Sequence, residues 1–168
     1  MITHTLSTPI KKTYQAIGIV EVIIIIAVVS IALLALHELV AFNFDITSQG
    51  ILYIKASLLA QEGTEVLRIL KNQSWSSAIA PLTPGASYYP VFSNNLWSLQ
   101  ITPLAPIDGV FTRWVTIENV FRDANNDISS SGTLDPNTKK ITVTLSWQVK
   151  NQARTIVIPT YLTNLLNN

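Results

Sequence analysis

The sequence predicts an α+β protein in which a long N-terminal helix packs on a small antiparallel β-sheet head. Three observations predict it. Residues 22–36 read VIIIIAVVSIALLAL, with Ser30 the only polar residue. Residues 52–70 then carry apolar side chains at steps of three and four, the period of one helix face. From Tyr88 onward the apolar period switches to two, the mark of half-buried strands.

Composition narrows the function before any motif is read. A chain of 168 residues suits one domain of ordinary size with an appended helix. Lys and Arg number 11 against 10 Asp and Glu, so the strong basic excess of a nucleic-acid binder is missing and nucleic acid is not an expected partner. With no cysteine there is no disulfide framework, thiolate metal site or thiol nucleophile. The two histidines are His4 and His37, so the chain after Leu39 holds no His-based triad and no His-liganded zinc site. An enzyme is not expected.

The first element is the apolar run. Extended back to Ile17, it gives 20 residues with one charge, Glu21. A helix crosses the hydrocarbon core with about 20 mainly apolar residues. Valine and isoleucine dominate, but inside a bilayer the backbone must satisfy itself and helix is forced. Lys11 and Lys12 precede the run, and Glu38 and Asp45 follow it. The positive-inside rule then predicts a cytoplasmic N-terminus with everything after His37 outside.

Three readings fit this segment: a cleaved signal peptide, a plain signal-anchor, or a stem that crosses the membrane and packs with copies of itself. Against the first, Ala32 and Ala35 are spaced wrongly for a small-x-small cleavage site. Glu21 separates the other two. A carboxylate costs about 2.5–3.5 kcal/mol at the centre of a membrane helix, and less near an interface. Either it lies by the cytoplasmic headgroups, where the helix dipole favours an anion, or it needs a cation inside an apolar assembly. A newly exposed α-amino group is the obvious donor.

Two lysines, a short stretch, then QAIGIVEVIIIIAVVSIALLAL resembles the class III signal of type IV pilins and type II secretion pseudopilins. That family cuts after a small residue and carries glutamate fifth in the mature chain. Placing Glu21 fifth makes Ile17 the new N-terminus and Ala16 the residue before the cut. The sequence departs from the pattern, with Ala16 for the usual glycine and Ile17 for the usual phenylalanine. Gly18 offers another site, but cutting there would leave glutamate third. The resemblance implies a leader at residues 1–16, a membrane and assembly segment at 17–37, an amphipathic stem at 38–72 and a β-rich head at 73–168. It further implies N-methylation of Ile17 and pairing of Glu21 with a neighbouring subunit's amine. The implied partners are other pilin or pseudopilin subunits, a prepilin peptidase, an inner-membrane assembly platform, and membrane lipid before assembly. The implied location is the inner membrane in a single pass, then the extracellular filament. A stem ending QEGTEVLRILKNQSW and a head ending TYLTN look like the PilV-like minor pilins.

The stem continues as an amphipathic helix. Leu52, Ala56, Leu59, Gly63, Val66 and Leu70 form one stripe, and Glu65 and Arg68 are spaced for an exposed pair. Continuous from Ile17 to Asn72, this helix would have 56 residues and span about 84 Å. Asn43 to Asp45 and Gly50 are the expected places for a bend or melted turn. Expected strands are Tyr88 to Phe92, Leu96 to Ile101, Val110 to Phe121, Lys140 to Val149 and Arg154 to Leu162. In the fourth, Ile141, Val143, Leu145, Trp147 and Val149 share a face. Asn151 and Gln152 read as a hairpin connection, DPNT at Asp135 to Thr138 as a turn, and Pro159 as the sign of an edge strand.

One constellation in the head suggests a cofactor, calcium. Asp123, Asn125 and Asp127 alternate as the first ligands of a calcium loop do, with Asp135 as a late ligand. Ile128 stands where such a loop wants glycine. A polar turn whose Asx side chains bond the local backbone fits the same residues. The aromatics Trp75, Tyr88, Tyr89, Trp97, Trp114, Trp147 and Tyr161 read mainly as core and rim of a small sheet. A rival to the filament reading is a signal-anchored extracytoplasmic module that holds a ligand on this sheet.

Overall fold

The computed structural model describes residues 18–165. They form two compact units, divided between Ile46 and Thr47, which are taken in turn. The long helix α1 spans Ile19–Gln73. In the first unit every described residue from Gly18 to Phe44 is exposed. This helix is long and apolar enough to cross a membrane. The expected melted turn is not there: helical structure runs through Asn43–Asp45 and Gly50. Asn43 turns its amide back onto the Leu39 carbonyl at 2.8 Å instead of competing for its own backbone.

The second unit holds a six-stranded antiparallel sheet. Its strands are β1 (Ser87–Ser93), β2 (Leu96–Gln100), β3 (Thr112–Arg122), β4 (Ile128–Ser129), β5 (Thr133–Val149) and β6 (Gln152–Thr163). The order is β2-β1-β3-β5-β6, with the short β4 also paired to β3. Two-residue hairpins join β1 to β2 and β5 to β6. Asn94 and Asn95 both adopt positive φ, as a two-residue turn between twisted strands requires, and so do Lys150 and Asn151. The last turn is therefore Lys150–Asn151, one residue earlier than expected, and Gln152 already pairs with Val149. Pro159 does lie in an edge strand, where its missing N–H costs no ladder bond.

The sheet buries the face that the alternation marked. Ile141, Val143, Leu145 and Trp147 are buried, with Val115 and Ile117 of β3 on the same side. Against them α1 presents Ala56, Ala60, Gly63, Val66, Leu67 and Leu70. Side-chain size is graded along this seam. Small Ala56 and Ala60 pack with bulky Phe111, Leu145 and Trp147. Farther on, Val66, Leu67 and Leu70 pack with Ile117, Ile141, Trp75 and Tyr88. Small residues on the helix leave room for large ones on the sheet, which is how interiors reach crystal-like density.

Two features were not legible as expected. A one-turn helix α2, Trp75–Ala78, follows α1; Ser74 caps it by accepting from the Ser77 N–H at 3.2 Å. The DPNT segment is not a turn that ends a strand, because β5 runs through it from Thr133. Pairing with β3 jumps from Asn119↔Lys139 to Val120↔Asp135, leaving residues 136–138 as a bulge. Pro136, which cannot donate to a ladder, sits in that bulge, and the Asn164 N–H bonds to the Asn137 carbonyl at 2.8 Å across it.

Candidate functional site

Glu21 lies in the first turn of α1. The Gly18 carbonyl accepts the first helical bonds, from the Glu21 N–H at 3.0 Å and the Val22 N–H at 3.2 Å. A carboxylate here opposes the unpaired N–H groups and the positive end of the helix dipole. Among the described residues no cation forms an ion pair with it. Around it Ile19, Val20, Ile23 and Ile24 stand open. Ser30, the other polar group in the run, bonds to the Ile26 carbonyl at 2.7 Å and so satisfies itself within the helix. The surface is thus nearly featureless hydrocarbon with one acid near its end. In water an apolar patch of this extent would drive association. The expected cleavage pair, Ala16 and Ile17, lies outside the described residues, as does the expected N-methylation at Ile17.

The acidic loop of the head is built from its own hydrogen bonds. Asp123 Oδ1 accepts from the backbone N–H groups of Asn125 and Asp127, each at 2.9 Å. The Asp123 N–H donates to the Asp127 carbonyl at 3.0 Å, closing the turn between β3 and β4. Asp135 is held apart from this turn's donors. Arg122 donates from Nε to Asp135 Oδ2 at 2.7 Å and from Nη1 to the Asn126 carbonyl at 2.8 Å. Burial pushes the Asp135 carboxyl up, but bonds from Arg122, Thr138 and the Asn137 N–H outweigh it and hold the group below its ordinary value of 3.8. Asp123 and Asp135 therefore serve the protein's own donors, and Asn125 enters through its backbone. Among the described residues no group of three His, Cys, Asp or Glu side chains is placed to hold a metal ion. This geometry matches the Asx-turn alternative for the loop.

The seven aromatics divide as their strand positions dictate. Trp75, Tyr88 and Trp147 are buried; Tyr89, Trp97 and Trp114 are partly so, and Tyr161 is exposed. They do not form one stacking platform. The Tyr88 hydroxyl accepts from the Thr83 N–H at 2.7 Å, tying the loop before β1 to the core.

Sequence reasoning missed one functional-looking side chain, Arg113. In β3 it alternates with Val115 and Ile117 on the buried face, and only 5% of its side chain is exposed. The alternation alone would have flagged a cation at an apolar position.

No protein-family model, curated protein or solved structure matches this chain.

Proposed function

We propose that the chain is a type IV pilin-like structural subunit, of the minor pilin or pseudopilin kind. In this reading a prepilin peptidase cuts between Ala16 and Ile17, and the trimmed chain assembles through its N-terminal helix into a pilus or secretion pseudopilus. One observation carries it: a single carboxylate, Glu21, in the first turn of a helix whose every described residue as far as Phe44 is exposed.

The physics supports the reading as follows. Before assembly, lipid covers the Val and Ile surface, with the chain in the inner membrane and the head outside. During assembly, like helices replace lipid, and the cost of a lone acid is offset by the methylated amine of a neighbouring Ile17. Such a pair acts as a register device, because a helix shifted along its neighbour would leave both charges unpaired in an apolar core. A signal-anchor needs no acid at this depth.

Intact-mass measurement after coexpression with a prepilin peptidase tests this. The expected product lacks residues 1–16 and carries one added methyl group on Ile17. Recovery of the chain with Met1 retained under those conditions overturns the proposal and favours the anchored ligand-binding module.

A further inference from the structure

The second unit contains a cavity of about 330 Å³, a size typical of sites for small organic molecules. Its walls are apolar and aromatic, including Leu59, Tyr89, Phe92, Trp97 and Phe111. Phe92 and Trp97 pack with ring centroids 5.0 Å apart. From Asn72 to Ile107 the sequence carries no charged residue, so the β1–β2 side of the cavity contributes no ion at all. The charges come from two residues only, Arg113 and Glu62.

The placement of those two is asymmetric. Arg113 is 5% exposed at the side chain, whereas Glu62 is 43% exposed. Both hydrogen bonds of the guanidinium leave from Nη1, to the Leu59 carbonyl at 2.8 Å and to Glu62 Oε2 at 2.9 Å. Nε is the one buried side-chain polar atom among the described residues with no hydrogen-bond partner. A buried donor left without a partner is destabilising. A surface staple between helix and sheet would not need its cation sunk in the core with one edge unsatisfied.

We propose that this cavity binds a small carboxylate with an aromatic or branched apolar body. The carboxylate pairs with the Arg113 guanidinium at the cavity wall, and the body lies against Phe92, Trp97 and Phe111. Glu62, being at the rim, is the residue that competes: its charge repels an incoming acid and holds Arg113 when the cavity is empty. The same chemistry could come from a free organic acid or from the C-terminal residue of a protein chain. This inference is independent of the filament proposal.

The test is calorimetric titration of the full chain in lipid nanodiscs, with empty nanodiscs as the blank. The probes are 3-phenylpropionate, N-acetylphenylalanine and N-acetylphenylalanine amide. At least one acid should bind about tenfold more tightly than the amide, since only an acid forms a charge-assisted pair with Arg113. Tighter binding of the acetylated amino acid points to a chain terminus, and tighter binding of 3-phenylpropionate to a free acid. Glu62→Gln, a change at a half-exposed position, should tighten acid binding several-fold and leave the amide unaffected. Arg113→Lys should lose the preference for acids. The proposal is overturned if neither acid binds, if the amide binds as well as the acids, or if Glu62→Gln leaves acid binding unchanged or weaker while near-ultraviolet circular dichroism shows native packing.

Discussion

Gly63 of α1 and Val143 of β5 approach so closely that a Cβ on the glycine would lie 2.8 Å from Val143 Cγ1. The same Cβ would sit 3.1 Å from Arg113 Cδ. Helix and sheet meet at a point where only a hydrogen atom fits. Gly63 thus does two things: it permits the seam to close, and it leaves a lane for the arginine stem.

Gly63→Ala sets two effects against each other. Helix propensity favours alanine by about 1 kcal/mol in an exposed helix interior. Overpacking a close contact costs about 1–3 kcal/mol. Val143 is fully buried and β-branched, so it cannot swing aside, and the overpacking cost wins. The variant should unfold more easily in chemical denaturation, by up to about 2 kcal/mol once the helix gain is subtracted. Val143→Ala in the same chain should give back part of that loss, a coupling that a double-mutant cycle reads directly.

Asp135 supports a pH prediction. Its carboxyl is held below 3.8 in the folded state, so its contribution is fully present above the unfolded value and lost as pH falls through the folded one. Asp135→Asn should cost about 1.5–3 kcal/mol at neutral pH, the range for hydrogen bonds to charged groups. The gap between variant and parent, followed by thermal melts, should narrow as pH drops below 3.8. A gap that stays constant into acid would show that the charge of Asp135 contributes nothing.

The acidic loop yields a third expectation. Asp123 Oδ1 serves two backbone N–H groups, so Asp123→Ala should destabilise the head by about 0.5–1.5 kcal/mol per bond lost, without any added ion. Calcium should leave the thermal midpoint of the parent protein where it is. A calcium-dependent rise that Asp127→Ala removes would show that the loop rearranges to bind the ion.

Glu21 gives the last. Glu21→Ala removes the lone charge of the apolar run and should leave membrane insertion intact, or improve it, as judged by alkali-resistant membrane fractionation. Cross-linking between copies, or filament recovery, should be abolished. Normal assembly of the variant would show that charge pairing does not set the register of the stems.

Particular residues show how far the pattern could be read. The buried stripe of α1 was visible at Ala56, Gly63, Val66 and Leu70, because a helix repeats its core face every three or four positions. Ala60 and Leu67 lie on the same face and widen the stripe beyond the spacing first counted. Alternation in β5 was equally legible from Ile141 to Trp147. The start of that strand was not. Turn-forming Asp135, Pro136 and Asn137 mask seven further strand residues, Thr133 to Lys139, and pairing with β3 and β6 holds the residues on either side of the bulge extended. Tertiary hydrogen bonding overrode local preference there.

By itself the sequence determined the order of parts: an apolar helix with one acid, an amphipathic continuation, and strands that bury one face. Periodicity and hydropathy are properties of neighbouring residues, so they can be read along the chain. Only the tertiary structure decided that Asp135 belongs to Arg122, that Gly63 admits Val143, and that Arg113 lies buried 51 residues from Glu62. Those pairings depend on which distant segments meet when the sheet closes on the helix, and no local pattern encodes that.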